Sequence, residues 1–354
     1  MISGPIEDLR TSPAIASVPK VAPSVKLTCG VAMCTCNAGV FLQPQLDSIA
    51  RQSRAPAHIV VCDDRSDDGT WERLQAWAVQ MEGMGRTRVS LIRNEERLGV
   101  RRNFEQAIRS LETDVIFLAD QDDIWANTKV AELMECLETT PSILLVHTDA
   151  VLIDGEGKDL GKSLFEALRL SPHEQALVSG KRFFEVYCRR NLVTGTTAAF
   201  RRELLELALP FPDGWIHDEW LAACAAAQGT VAMLPDRLTQ YRQHGANVIG
   251  IPVSTISRLV THARRVVNTP RDQYLRYKLA RLEALHQRLE SSSVPIPTDR
   301  LALLEEAQSH FLRRIAFRKS LGPRLVSVMR ESRAHGYHRF ADGFAGMVRD
   351  LIQV

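Results

Sequence analysis

Four short apolar runs, each followed by a helix-length amphipathic segment, constrain this chain more than any other feature. They are residues 26–33, 58–62, 89–92 and 115–119. Between them, residues 41–50 place Leu42, Leu46 and Ile49 at helical spacing, with Pro44 tolerated because it falls near the helix start. Residues 70–79 read as the next helix, with Asp68 or Thr70 as N-cap, and 103–111 and 129–137 complete the alternation. Strands that are apolar on both faces need cover on both sides, and intervening helices supply it. The expected fold is therefore α/β, a mostly parallel sheet flanked by helices with right-handed crossovers. Such sheets bind ligands beyond the carboxyl ends of their strands, so the residues that close each run are where chemistry belongs.

The remainder is less regular. A Gly-rich loop at 154–161, a Thr-rich turn at 193–197 and a helix over 218–227 are the features that stand out, and no internal repeat is visible. The last hundred residues read as helices. Ile256, Leu259, Val260, Ala263, Val266 and Val267 form one apolar stripe opposite Arg258, Arg264 and Arg265. Leu275, Leu279, Leu282, Leu285 and Leu289 form a second before a Ser/Pro break at 291–297, and a third helix starts near Asp299. The expected organisation is a disordered lead-in at 1–24, an α/β unit at 25–254 with halves at 25–125 and 126–254, and a basic helical region at 255–354.

Charge follows that division. Residues 255–354 hold 18 Lys and Arg against 9 Asp and Glu, leaving 26 against 33 in the rest of a chain whose net charge is +2. An acidic body argues against nucleic acid as its partner. Seven cysteines without a CxxC pair, several inside apolar runs, point to buried free thiols in a reducing compartment rather than to disulfides or zinc. No signal-peptide core and no run of 18 apolar residues is present, so the expected location is the cytoplasm.

The strand ends are rich in carboxylates. The first run closes on Cys34-Thr35-Cys36-Asn37-Ala38-Gly39, the second on Asp63-Asp64-Arg65-Ser66-Asp67-Asp68-Gly69-Thr70, the fourth on Asp120-Gln121-Asp122-Asp123-Ile124-Trp125. Carboxylates gathered at neighbouring strand ends repel unless cations or hydrogen-bond donors meet them. The Asp120–Asp122 spacing lets one carboxylate ligate a hard divalent cation, magnesium or manganese, while the other holds a hydroxyl or a metal-bound water. A solvated acidic turn is the plainer reading of the same residues.

With these stretches, Thr194-Gly195-Thr196, His217-Asp218-Glu219-Trp220 and Tyr241-Arg242-Gln243-His244-Gly245-Ala246-Asn247 complete a set that, in this order, resembles the family-2 glycosyltransferases over residues 26–250. The Asp-Gln-Asp-Asp-Ile-Trp and Tyr-Arg-Gln-His-Gly forms are most similar to the rhamnosyltransferase-like branch that builds bacterial surface polysaccharides. The resemblance implies a GT-A fold, Rossmann-like, with a C-terminal helical extension, and an inverting transfer of sugar from a nucleoside-diphosphate sugar to a hydroxyl. Rhamnose is one candidate sugar. It also implies that 25–125 is the nucleotide-sugar half and 126–254 the acceptor half. Thr35, Cys36, Asn37, Asp63, Asp64, Arg101, Asp120 and Gln121 are then the donor-binding residues, Asp64 meeting the base, Asp120 the ribose and Arg101 the diphosphate. Asp122 is then the metal residue, His244 a further metal or diphosphate contact, Asp218 the catalytic base, and Gly195, Thr196, His217 and Trp220 the acceptor side. Cys36 stands where many relatives carry a Tyr that packs on the base, so base preference does not carry over.

The residues suit that chemistry. Displacement at an anomeric carbon needs the acceptor hydroxyl deprotonated on one side and the leaving diphosphate neutralised on the other. A plain helix N-cap remains the alternative for Asp218, a core tryptophan for Trp220, and a solvated charge pair for Arg101 and Arg102. A sugar-1-phosphate nucleotidyltransferase would need a Gly-rich, Arg-containing loop after the first run, which is missing. A phosphoacceptor domain would leave 120–125 and 217–220 unexplained. A non-catalytic nucleotide-sugar binder is the alternative of another class. For the basic tail three readings stand: packing on the body, attachment to an anionic membrane surface at the inner face of the cell membrane next to a lipid-linked glycan acceptor, or a homodimer contact.

Overall fold

The computed structural model describes residues 26–245 and 269–353. The lead-in at 1–24, the last two residues of the motif ending in Asn247, and the apolar stripe from Ile256 to Val267 lie outside the described residues.

The first half follows the expected alternation: β1 (Cys29–Thr35), α1 (Leu42–Ala50), β2 (His58–Asp63), α2 (Thr70–Gly83), β3 (Arg88–Arg93), α3 (Gly99–Arg109), β4 (Val115–Ala119), β5 (Ile124–Trp125) and α4 (Lys129–Thr139). Then come β6 (Ile143–Ile153), β7 (Asp159–Ser163), α5 (Leu164–Leu168), α6 (Pro172–Ser179), α7 (Phe183–Tyr187), β8 (Ala198–Arg201), α8 (Leu205–Ala208), α9 (His217–Gln228) and β9 (Thr230–Arg242). The strands β3, β2, β1 and β4 run parallel, with Val31 opposite Ile59 and Phe117. β8 enters antiparallel between β4 and β6, β9 runs parallel to β6, and β5 closes the edge antiparallel to β9.

The sheet is a middle layer. Val31, Met33, Ile59, Val61 and Phe117 point to one side, against Leu42, Leu46 and Ile49 of α1, Trp77 of α2 and Leu133 of α4. Their alternate neighbours Ala32, Val60, Cys62, Ile116 and Leu118 point to the other, against Phe104 and Ile108 of α3 and the alanine-rich α9. Period-two side chains with helices on both faces explain why the strands read as uninterrupted apolar runs. The cysteines in the described residues are all free, and Cys29, Cys34, Cys62, Cys188 and Cys224 are buried, as expected.

The strands of the second half were not legible in the sequence. β9 contains Pro235 and Asp236, and its pairing jumps there, from Thr148 opposite Leu234 to Asp149 opposite Arg237. Proline lacks a ladder N–H, so the strand bulges at this point and its alternation is lost to inspection. β8 is only four residues long and survives between two neighbours.

The tail comprises α10 (Arg271–Glu290), α11 (Thr298–Ile315), α12 (Leu321–Arg333), α13 (Gly336–Phe340) and α14 (Phe344–Ile352). The five leucines of α10 are buried in the same layer as α3 and α9. Arg288 clamps the contact, Nη1 donating to the carbonyls of Leu207 and Leu209 at 2.9 and 3.0 Å, and Nη2 to that of Pro210 at 2.7 Å. The leucine stripe therefore packs on the α/β body. Leu285 has no exposed surface in this layer. Leu285→Ala is expected to lower the unfolding free energy by about 2–5 kcal/mol, a transfer loss plus a cavity. Urea denaturation followed by the fluorescence of the tryptophans beneath α10 measures it, and an unchanged midpoint would mean that this contact is dispensable.

Candidate active site

The loops after β1 and β2 are laced together. Thr35 Oγ1 donates to Asp63 at 2.8 Å, Asn37 N to Ser66 Oγ at 2.8 Å, Ala38 N to Thr70 Oγ1 at 3.0 Å and Gly39 N to Asp68 at 2.9 Å. In return Asp67 N donates to Asn37 Oδ1 at 3.0 Å. Asp68 also accepts the Thr70 N–H at 3.0 Å, although the residue at the α2 N-cap is Gly69. Asn37, at φ 50°, turns its loop through the left-handed region, which Asn tolerates better than most residues.

The two carboxylates closing β2 are served from within. Asp63 also accepts from Ser66 N and Oγ at 2.9 and 2.6 Å. Asp64 accepts from Asn94 Nδ2, Leu98 N and Gly99 N at 2.9, 2.7 and 2.9 Å, which pins the start of α3 to the end of β2. A carboxylate offers about four acceptor positions, so Asp64 keeps about one for anything else. Cys36 and Gln121 join the β1 and β4 ends reciprocally, Cys36 N donating to Oε1 at 2.7 Å and Nε2 donating back to Cys36 O at 3.2 Å.

Beyond β4 lies the acidic turn. Asp122 Oδ2 and His244 Nε2 are 2.8 Å apart, and the imidazole stacks on Phe41 with centroids 4.6 Å apart. Arg242 fixes the turn from β9: its N donates to Asp123 Oδ1 at 2.9 Å and its Nε to Asp122 O at 2.8 Å. Loss of hydration, then the charges of Asp123, Asp122 and Asp218, raise the Asp120 carboxyl well above its usual range. Burial and Asp122 push Asp123 up to about 7. Asp123 Oδ2 and Thr196 Oγ1 are buried with no hydrogen-bond partner among the described residues. The hydroxyl is near enough to favour the Asp123 carboxylate without reaching hydrogen-bond geometry.

Lys129 was not singled out in the sequence, yet it sits under this turn, fully buried. Its ammonium donates to Thr196 O and, at 2.9 Å, to Thr239 Oγ1, and lies 4.1 Å from the centre of the Trp125 ring. Burial pulls its pKa down to about 7, against the opposing pull of Asp123 and Asp120. A signal existed: Lys129, Leu133 and Leu137 recur every four residues, so the lysine falls on the apolar face of its helix.

Asp218 faces the turn from α9. The N-cap of that helix is Ile216, so Asp218 is not the cap. Its Oδ2 accepts from Gly195 N at 2.8 Å and its Oδ1 from Glu219 N at 2.7 Å. Burial raises its pKa and those N–H groups oppose the rise. Gly195 is favoured by close approach: a Cβ there would lie 3.2 Å from His217 Nε2 and 3.3 Å from Asp218 Cβ, tighter than ordinary contact. His217 stacks on Phe104 at 3.8 Å, and neither ring nitrogen has a partner among the described residues. Burial holds its pKa at about 3, so the ring is neutral.

Thr35, Cys36, Asn37, Asp63, Asp64, Asp120, Gln121, Asp122 and His244 thus line the ends of β1, β2, β4 and β9, with Gly195, Thr196, His217 and Asp218 on the α9 side. Two sequence assignments fare differently. Trp220 is 0% exposed; its Nε1 donates to Ala208 O at 2.7 Å and its ring meets Trp215 edge-on. It is a core residue and has no face to offer an acceptor sugar. Arg101 is engaged by other partners, donating to Phe211 O at 2.6 Å and pairing with Asp213.

Among the described residues no three His, Cys, Asp or Glu side chains gather into a metal cage. The donor set nevertheless fits a cation held jointly by protein and phosphate, which uses one or two protein ligands. It offers a carboxylate and an imidazole already side by side, with the unpartnered Asp123 oxygen on the next residue.

This architecture, carboxylates at the ends of parallel strands with a mixed second half, is that of the GT-A class. The chain belongs to glycosyl transferase family 2, whose model matches residues 30–208. An uncharacterised glycosyltransferase of Nostoc is 25% identical over 60% of this chain and 63% of its own length. An uncharacterised Mycobacterium tuberculosis protein is 24% identical over 60% and 58%. The chain therefore matches about three fifths of the length of these relatives. The Shigella flexneri dTDP-rhamnosyl transferase RfbG is 23% identical over 63% of this chain and 75% of its own. Two solved structures share the fold. The mannosyltransferase PcManGT from Pyrobaculum calidifontis, in complex with GDP-Man and Mn2+, has TM-score 0.51 and 19% identity, covering 95% of this chain and 89% of that one. S. aureus TarS in complex with UDP-GlcNAc has TM-score 0.52 and 14% identity, covering 92% and 82%.

Lys129→Met keeps the bulk of the side chain and removes its charge and donors. It leaves the Thr196 carbonyl with only the long 3.5 Å bond from Thr239 Oγ1 and removes a cation from beside Asp123. The expected loss is about 2–4 kcal/mol of unfolding free energy by urea denaturation. Wild-type stability in this variant would show that the ammonium holds nothing in place.

Proposed function

We propose that this chain is an inverting glycosyltransferase that moves a sugar from a nucleoside-diphosphate sugar to a hydroxyl of a bacterial surface glycan. One observation carries the reading: a held carboxylate, Asp218, and a carboxylate–imidazole pair, Asp122 with His244, flank one cluster, close enough that Asp218 raises the pKa of Asp120. Transfer needs a base on the acceptor side and charge neutralisation on the leaving-group side, and these are the two chemistries so arranged.

In this reading Asp218, oriented by the Gly195 and Glu219 N–H groups, takes the proton of the acceptor hydroxyl as its oxygen attacks the anomeric carbon. His217, buried, neutral and stacked on Phe104, backs Asp218 from beneath rather than reaching the acceptor itself. Asp120 and Gln121 hold the nucleotide portion, on the shelf made by residues 35–39 and 63–68. Asp122 and His244 would hold a magnesium or manganese ion, which when bound neutralises the leaving diphosphate. The mannosyltransferase relative bound to Mn2+ supports the metal, and the rhamnosyl transferase relative supports rhamnose as the sugar. Cys36 leaves the donor base open, since relatives of this fold hold both guanosine and uridine diphosphate sugars.

Asp122→Ala is expected to abolish transfer and the metal dependence of donor binding while leaving the fold intact. Calorimetry of donor with and without manganese, and turnover in EDTA, measure both. Full activity in EDTA would defeat the assignment.

Asp218→Asn is expected to leave donor affinity within about threefold and to cut turnover by roughly 10²–10⁴. Asn retains one acceptor oxygen where Asp has two, so a thermal melt separates lost support from lost basicity. The wild-type rate should rise with pH through a pKa above the ordinary aspartate value, because burial raises it and the base must be ionised. Near wild-type turnover by the variant would place the base elsewhere. Glu219 is the next residue to test, although its carboxylate is paired with Arg281 at 2.6 Å.

A further inference from the structure

α12 carries an apolar face that no described residue covers. Leu321, Leu325 and Met329 recur every four residues along it, with Val326 beside them. All four stand open, from 45% exposed at Leu325 to 66% at Leu321. The opposite face is committed. Val328 packs with Tyr337 and Ala341, and Arg324 Nε donates to the Arg318 carbonyl at 3.0 Å. Glu331 sits 2.7 Å from His310 and accepts from Arg313 at 2.8 Å. The helix is therefore anchored in one orientation, with these four side chains outward.

The charge around that face has one sign. Residues 312–335 contain seven Lys and Arg and a single carboxylate, Glu331, which is buried. Arg318, Lys319, Arg330 and Arg333 are exposed, and among the described residues none of them meets a carboxylate. Large exposed apolar side chains ringed by unpaired cations are suited to the boundary of an anionic bilayer. The apolar groups enter the acyl region while arginine and lysine reach the lipid phosphates. Two other occupants fit less well. A second copy meeting this face through its own would bring like charges together. Residues 255–268 carry Arg258, Arg264 and Arg265 and no carboxylate, so their charge has the same sign as that around this face.

We propose that the exposed face of α12, with Arg318 and Lys319 at its start, docks on an anionic membrane surface. The consequence for the site follows from continuity. Arg314 of α11 pairs with Asp350 of α14 at 2.7 Å, Gln308 of α11 donates to Leu282 O of α10 at 3.1 Å, and Arg281 of α10 pairs with Glu219, the neighbour of Asp218. A membrane held by α12 thus has a packed connection to the acceptor side. If the transferase reading holds, the acceptor is lipid-anchored.

The test is sedimentation of the full chain with vesicles of phosphatidylcholine alone or mixed with phosphatidylglycerol, at low and high salt. Binding is expected to the mixed vesicles only and to weaken with salt. Leu325→Gln with Met329→Gln should lower partitioning at least about tenfold. Arg330→Gln with Arg333→Gln should lower it about fivefold per charge removed. Circular dichroism and thermal melts confirm that these surface variants fold. Equal binding to both vesicle types, no binding at low salt, or wild-type binding by the variants overturns the proposal. So does a concentration-dependent dimer that the Leu325/Met329 variant dissolves. Vesicle binding is read without turnover, so its failure and that of the transferase reading are distinguishable.

Discussion

Carboxylates that lose their water repel one another, and this fold brings Asp63, Asp64, Asp120, Asp122, Asp123 and Asp218 to neighbouring loops. Much of the local structure supplies them with donors. Main-chain N–H groups at the start of α3 serve Asp64, the Ser66 turn serves Asp63, Gly195 serves Asp218, and Arg242 reaches from β9 to Asp123. Lys129 and Arg242 bring buried basic side chains to the turn. Charges buried this way need partners, because desolvation alone costs several kcal/mol per ion. The positions of α3, β9 and the 195–197 turn are thus tied to one electrostatic requirement.

The donors are uneven, and that unevenness differentiates the carboxyl groups. Asp218 is oriented by two main-chain N–H groups and enclosed, which suits a base with a pKa above the ordinary value. Asp122 faces the His244 ring, Oδ2 and Nε2 lying 2.8 Å apart. Asp63 and Asp64 have most of their acceptor positions taken by donors of the protein itself, which also shapes the loops after β1 and β2. Residues of the same type in one cluster therefore differ in what they can do, through burial, neighbouring charges and donors together.

The tail is tied to the α9 side of the site. Arg281 lies 3.9 Å from the Trp215 ring centre and Arg288 5.3 Å from that of Trp220, so two α10 guanidiniums cover the aromatic pair that backs α9. With Arg281 paired to Glu219, a helix far along the chain shares a charge network with the residue next to Asp218.

The sequence by itself determined the alternation of the first half, the free buried thiols, the strand-end carboxylates and the helix that bears Asp218. Each rests on local periodicity or on the rule that ligands gather at carboxyl ends of parallel strands. Only the tertiary structure decided the rest. It put Trp220 in the core, although a Trp beside a site residue reads equally well as a sugar platform. It drew Arg101 to Asp213, and it gave Gly195 its reason in the approach of His217 and Asp218 rather than in a turn. It hid β9 behind a Pro235 bulge and made Lys129 a buried support. The physical reason is common to all of these. Burial and hydrogen bonding are set by partners that can lie a hundred residues away, as Lys129 and Thr239 do, and no window of sequence contains both.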